Sequence, residues 1–335
     1  MAQRHTGFSV NEIAKLAGVS TATVSRVLNY KDNVTKDTSE KVLGVLESLG
    51  CNPHLLKNEV KLDSKLILMN IQTFHNPACG SVIDGARVAA LRNGYQLILV
   101  QSENVDKSLT GYESLMKLTN AAGMLLMDDL IDEEMLNILN YRFPFVLTVT
   151  TSANENLSSV SIDDKAAAIT AMNYLLSIGR RKIALLNSSL EYIFARHRED
   201  GYRQVLEKAG IPVKEKWIAH LHPDFKIESA VAASESILQS DDRPDAFFAV
   251  SDVYAASILR VCNRLKISVP EEVAIIGFDN TDITTLTEPT LTTMSQPAFQ
   301  IGHMACSLLI DKISDAKTRD KRILLESELI IRGST

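Results

Sequence analysis

The sequence predicts an α/β protein in which a small all-α unit precedes a core of two doubly wound parallel sheets. Three observations carry this. Residues 9–49 hold three helical patterns and no strand pattern. From Ser64 onward, short apolar runs alternate with amphipathic stretches, the signature of parallel strands covered by helices on both faces. The chain has 335 residues, more than one hydrophobic core usually organises, and its strand–helix units are too numerous for one layer.

The first helix opens at Ser9, a good N-cap, and Glu12 three residues later completes a capping-box pattern. Val10, Ile13, Ala14 and Ala17 then share one face, and Gly18 stops the helix. Ser20 caps the second helix, which turns Val24, Val27 and Leu28 inward and Thr21, Ala22, Ser25 and Arg26 outward. A third helix, about 35–49, brings Val42, Val45, Leu46 and Leu49 to the first two, with Gly50 at the C′ position. The unit 1–50 is thus a compact helical headpiece. Residues 51–64 carry too few apolar side chains for a core and read as a linker or a conditionally ordered helix.

In the core, 65–335, strands are expected at 65–71, 95–101, 123–128, 145–150, 182–188, 246–252 and 273–279. Helices are expected between them at 80–93, 108–121, 132–141, 165–178, 199–209, 227–238, 253–265 and 299–313. Open α/β sheets bind ligands outside the carboxyl ends of their strands. Those ends carry Asn76, Ser251–Asp252 and Asp279–Asn280, with Arg198 just before a helix. Asp and Asn can take paired hydrogen bonds from hydroxyls, and Arg donates in a rigid fork. Each alone also suits a helix cap, Asp252 above all, since it precedes VYAASIL.

Composition narrows the function classes. At 45% hydrophobic and 23% charged residues the chain is of ordinary soluble type. The N-terminus shows no apolar signal region and no run is long enough to span a bilayer, so a cytoplasmic protein without membrane contact is expected. The four cysteines are widely spaced with no C-x-x-C pair, which disfavours a disulfide framework and a zinc site. The seven histidines form no metal pair, and His220 and His222 read as a solvated strand end. With no phosphate loop, dinucleotide fingerprint or nucleophile elbow, neither an enzyme nor a cofactor is expected. Net charge is −6, but residues 1–61 hold eight Lys/Arg against six Asp/Glu, so the headpiece is the less acidic part.

SVNEIAKLAGVSTATVSRVLN, the Asn52–Pro53 pair, NYLLSIGRRKIALL, GYRQVLEKAGI, VPEEVAIIGFDN, EPTLTTMSQP and ELIIRGST together resemble the lactose repressor/galactose repressor family, from about residue 9 to the last residue. STATVSR, NEVK, GFDNTDIT and ELIIRGST are similar to one nucleoside-controlled branch of it. The resemblance implies a DNA-binding repressor: a helix-turn-helix headpiece, a hinge, and a core like periplasmic sugar-binding proteins. The first lobe would be about 65–162 with 296–324, and the second about 163–293 with 326–335. It also implies a homodimer on a palindromic operator in double-stranded DNA, controlled by a sugar or nucleoside between the lobes. Whether that effector releases or promotes DNA binding, and whether the assembly stops at a dimer, stay open. A sugar-transport binding protein would share the core but not the headpiece.

Carried over by position, Thr21 and Ala22 match the family's base-reading pair and Arg26 a further groove contact. Ser20, Ser25, Asn29 and Lys36 are candidate phosphate contacts. Val60 stands where members often carry a leucine wedged into the minor groove, flanked by Lys57 and Glu59, so a weaker clamp is implied and a second bound regulator becomes a candidate partner. In the cleft, Arg198, Asp279, Ser251, Asp252 and Asn76 match effector-binding positions. Phe225 matches an aromatic over the ligand and equally suits the core. In the loop after the first core strand Asn76–Pro77 is retained, but Ala78 and Cys79 stand where two aromatics are usual next.

Overall fold

The computed structural model describes residues 10–28, 34–48, 64–71, 73–74, 76–101, 108–127, 131, 133–152, 154, 156–222, 226–315 and 317–335. The expected contacts Asn29, Val60 and Phe225, and the side chains of Ser25 and Lys36, lie outside the described residues.

The N-terminal unit is three helices: α1 (Val10–Leu16), α2 (Thr21–Leu28) and α3 (Lys36–Ser48). Ile13, Ala14, Val24, Val27, Val42 and Leu46 form its buried core, while Thr21, Ala22 and Arg26 are exposed on α2. Gly18, at φ +65°, makes the left-handed turn between α1 and α2. The Ser20 hydroxyl accepts from the Thr23 amide at 3.0 Å, so it caps α2 and is already engaged there. Ser20→Ala should cost the headpiece about 1 kcal/mol. Faster amide hydrogen exchange across 21–28 is the expected sign.

The first lobe is built on a sheet of β1 (Leu66–Ile71), β2 (Gln96–Gln101), β3 (Gly123–Leu126), β4 (Phe145–Thr148), β5 (Ser159–Ile162) and β11 (Arg322–Leu325). Its order is β11-β5-β4-β3-β1-β2, all parallel. The second has β6 (Ile183–Ser188), β7 (Ile218–Leu221), β8 (Ala246–Ala249), β9 (Ala274–Asp279), β10 (Thr292–Ser295) and β12 (Glu328–Ile330), ordered β12-β10-β9-β8-β6-β7 with only β12 antiparallel. Both sheets therefore run 2-1-3-4-5 from their own first strand, the doubly wound order. Strand interiors such as AFFA and AIIGFD are buried on both faces.

Helices α4 (Ala78–Arg92), α5 (Leu109–Thr119), α6 (Glu133–Arg142) and α12 (Ala298–Ser314) belong to the first lobe. The second takes α7 (Asp164–Ser177), α8 (Ile193–Lys208), α9 (Ile227–Leu238), α10 (Asp252–Leu265) and the short α11 (Ile283–Leu286). The chain passes between the lobes at Asp163, at Gln296–Pro297 and at Glu326–Ser327.

One helix differs from expectation. α8 begins at Ile193, not at 199, so Arg198 lies inside it and not before it. Its buried stripe is Ala195, Arg198, Glu199, Tyr202, Val205 and Leu206. Two charged residues on the inward face break the apolar period that marks a helix in a sequence. Among the described residues no helix is long and apolar enough to cross a membrane.

Candidate functional site

The carboxyl ends of both sheets face one another across a cleft of about 650 Å³, part of it open to solvent. Every strand that reaches it contributes through the residues just past its end: Thr73 and Asn76 after β1, Met127 after β3, Val149 and Thr150 after β4, Val250 after β8, Asp279 at the end of β9 and Gln296 after β10. Phe194 and Arg198 enter from α8, and Cys79 and Val82 from α4. Apolar walls with a few converging polar groups are the usual make-up of a small-molecule site.

Arg198 is 4% exposed and held from several sides. Its Nε donates to Asp164 Oδ1 at 2.8 Å, one terminal nitrogen reaches the same oxygen at 2.7 Å, and the other donates to the Val250 carbonyl at 2.7 Å. The guanidinium carbon sits 3.4 Å from the centroid of the Phe278 ring. Burial pushes the Asp164 carboxyl above its ordinary range, and Arg198 pulls against that shift. Three of the five guanidinium donors are used in these bonds, and Arg198 also lines the cleft.

Asp279 lines the same cleft from the end of β9, 7% exposed, with φ at +111° in a region that L-residues rarely adopt. Such strain persists where surrounding structure holds it, and it gathers at ligand sites. Asn76, whose Oδ1 accepts from the Ala78 amide at 3.0 Å, also hydrogen-bonds Asp279 from the other lobe. Gln296 Nε2 approaches Asp279 Oδ1 at 2.5 Å. Burial pushes the Asp279 carboxyl up to about 8, against the pull of Arg198 and with the like charge of Asp252 adding to the rise.

Ser251 and Asp252 do not line the cleft. Ser251 is fully buried, and its hydroxyl caps α10 by accepting from the Tyr254 amide at 3.3 Å. Asp252 points behind the strand ends. Its Oδ2 accepts from the Thr281 amide at 2.7 Å and hydroxyl at 3.0 Å, and its Oδ1 from the Thr293 hydroxyl at 2.6 Å. Burial raises this carboxyl to about 6, with all three bonds favouring the ionised form. Asp252 thus fastens the turn that carries Asp279. The physical reason is the helix start: Ser251 supplies the cap, and the next side chain turns back under the sheet.

His220 lies on β7 and is exposed, as expected of a solvated strand end, but it also has a partner. It bonds buried Glu199 through Nε2 at 2.6 Å, joined there by Asn187 and Arg203. Burial alone would raise Glu199, but these three partners outweigh it and hold the carboxyl low. Among the cleft residues the sequence reading missed are Thr73, Thr150, Phe194 and Gln296. The strand-end rule reaches Thr150, two residues past β4, whereas Gln296 directly follows β10, a strand the sequence reading did not expect.

Residues 9–54 match the family described as bacterial regulatory proteins, lacI family, and residues 172–335 match the periplasmic binding protein-like domain. The chain is 32% identical over 339 residues to the HTH-type transcriptional repressor CytR of Escherichia coli (strain K12), covering 99% of this chain and 98% of that one. It is 30% identical over 330 residues to the HTH-type transcriptional repressor PurR of Photobacterium profundum, covering 97% and 98%. The solved structure of the transcriptional regulator CelR in complex with cellobiose superposes with a TM-score of 0.71 at 29% identity, over 98% of this chain and all of that one. These relatives are transcriptional regulators, and the likeness runs through headpiece and core alike. The chain belongs to the lacI family of bacterial regulatory proteins.

Proposed function

We propose that this protein is a DNA-binding transcriptional repressor controlled by a small polyhydroxylated effector, a sugar or a nucleoside, held between its lobes. The observation that carries the reading is the convergence of Asn76, Arg198, Asp279 and Gln296 on one cleft in a chain that also bears an exposed recognition helix. Sugar or ribose hydroxyls suit the Asn and Asp oxygens and the Arg198 guanidinium. The apolar walls suit a pyranose face or a base. CelR, which shares the fold, is solved with cellobiose.

On the headpiece, Thr21 hydrogen-bonds a base edge, Ala22 makes apolar contact and Arg26 pairs with guanine or phosphate in the major groove. Two copies in a homodimer read half-sites one helical turn, or a multiple of it, apart. The effector acts by its different affinity for two lobe arrangements, since a ligand indifferent to them shifts nothing. Because three crossings join the lobes, any change in their angle is carried toward the segment before Ser64. The sequence of the linker, with Val60 in place of a leucine wedge, makes a second DNA-bound regulator a further expected partner.

Binding of the purified full chain to the DNA upstream of its own gene, followed by fluorescence anisotropy, tests this reading. Affinity should fall by more than about tenfold between low and moderately high salt, as phosphate contacts release counterions. A panel of nucleosides and sugars should contain a compound that both raises the melting temperature and changes that affinity. Salt-independent binding, or no stabilising compound, counts against the reading.

A further inference from the structure

The cleft continues past Arg198. A second chamber of about 480 Å³, also partly open to solvent, adjoins the first, and Val149, Thr150 and Phe194 line both. The Arg198–Asp164 pair spans the boundary, for Arg198 lines only the first of the two chambers and Asp164 only the second. Both lobes reach this second space. Arg322 comes from the edge strand β11 of the first lobe, His197 from α8 of the second, and Asp163 and Asp164 from the crossing between them.

Three observations mark the chamber as suited to a ligand. Asp164 is only 7% exposed and Arg198 takes its Oδ1, yet its Oδ2 has no hydrogen-bond partner among the described residues and is not sealed from open space. An oxygen of this kind in a nearly closed wall is an acceptor offered to the chamber. Nor do His197 and Arg322 make a hydrogen bond or ion pair with any described residue. Finally, Val149, on the wall common to both chambers, has φ at +72°, an outlier for a β-branched side chain. Such strain gathers at ligand sites.

The charges choose the ligand class. Arg198 already balances Asp164, and of the remaining groups Asp163 and Arg322 are opposite in sign. An ion of either sign would therefore meet one like charge for each opposite one. Hydroxyl groups, each both donor and acceptor, suit the carboxylates, the guanidinium and the imidazole alike. Asp163 spends its Oδ1 on the Ala166 amide at 2.9 Å, which leaves its other oxygen to accept.

We propose that this chamber seats the sugar ring of a two-part effector whose other part lies beside Arg198 and Asp279. Adjacent hydroxyls donate to Asp163 and Asp164 and accept from Arg322 and His197, while Phe194 offers an apolar face to either part. The inference rests on the first chamber being the effector site, and it narrows the effector to a nucleoside or a disaccharide. A ring bonded to Arg322 on one lobe and His197 on the other also ties the lobes together. The second part thus supplies the ligand's preference for one lobe arrangement.

Calorimetry of the full chain with four pairs of compounds tests this: cytosine and cytidine, uracil and uridine, adenine and adenosine, glucose and cellobiose. The pairs separate the two sources of the sugar ring and, within each pair, the presence of that ring from its absence. In the pair that binds, the larger member should bind at least about tenfold tighter, as hydrogen bonds to charged groups allow. In a chain carrying both His197→Ala and Arg322→Ala that advantage should vanish, while the smaller member binds as before. Neither side chain has a partner to lose, so the thermal melt should match wild type. The His197 ring proton signals, assigned with His197→Ala, should shift with the larger member and stay in place with the smaller. A larger member that binds the doubly substituted chain undiminished, or a smaller member that matches it in wild type, overturns the proposal and leaves the first chamber standing. Silence from all eight compounds overturns the effector reading, and this proposal with it.

Discussion

Replacing Gly302 with alanine is expected to destabilise the protein by about 3 kcal/mol or more, at the upper end of what overpacking costs. Helices α4 and α12 cross in backbone contact. A Cβ at Gly302 would sit 1.9 Å from the Val82 carbonyl oxygen and 2.8 Å from its carbon. Reciprocally, a Cβ at Gly85 would lie 2.0 Å from the Phe299 carbonyl oxygen. These neighbours are backbone inside helices, so they cannot swing aside as a side chain would. Relief requires the helices to separate, which opens the layer that Val82, Ala86, Ala305 and Cys306 fill. Gly80→Ala on α4 is the control, since its added methyl meets nothing within 4 Å. It should be neutral or stabilising by up to about 1 kcal/mol, the ordinary helix preference for alanine. The crossing also bears on function, because α4 starts just after Asn76 and α12 just after Gln296. A thermal melt placing Gly302→Ala within a degree or two of wild type would show that the helices do not cross this closely.

How much of this was legible depends on where hydrophobicity carried the information. The seven strands expected from the sequence are the apolar ones, and β8 with Phe247 and Phe248 shows why: both faces are buried and nothing polar interrupts the run. The reading missed β5 and β10, although both are buried. Ser159, Ser161, Thr292 and Thr293 give them a polar look. Thr292 and Thr293 are tolerated because their hydroxyls are bonded, to Thr335 and Asp252 respectively. The strands β11 and β12 are sheet edges, short and partly exposed, with little periodicity to read. At the cleft, Asn76 and Asp279 come together as strand-end logic implies and Arg198 joins them from inside α8, whereas Ser251 and Asp252 obey the same rule and still turn away. The rule places a residue at the correct end of the sheet; it does not choose which side of the strand the side chain takes. Gln296 lay in a stretch already singled out for its resemblance, but a lone Gln after a strand gives no chemical signal until Asp279 is seen beside it.

Arg198→Leu is expected to cost about 3–5 kcal/mol and to abolish the effector response together. The stability loss comes from Asp164, which is buried and would be left without its counter-ion. Substituting both partners, Arg198→Leu with Asp164→Leu, removes the orphaned charge and should restore most of the stability, as replacing a whole buried pair often does. The effector response should not return, because the guanidinium lining the cleft is gone. Comparing the two variants therefore separates folding from binding. The pH dependence fixes the cause. Burial already raises Asp164 even beside Arg198, and without the guanidinium its folded-state value rises further while the unfolded value stays near 3.8. A folded state that binds the proton more tightly gains stability as pH falls, beginning at the raised value and ending near the unfolded one. The penalty of Arg198→Leu relative to wild type should accordingly be greatest at neutral and alkaline pH and shrink on acidification. The double variant, lacking the carboxyl, should show no such recovery. A single variant whose penalty is the same at pH 5 and pH 8 would place its cost in lost stacking on Phe278 and not in the stranded charge.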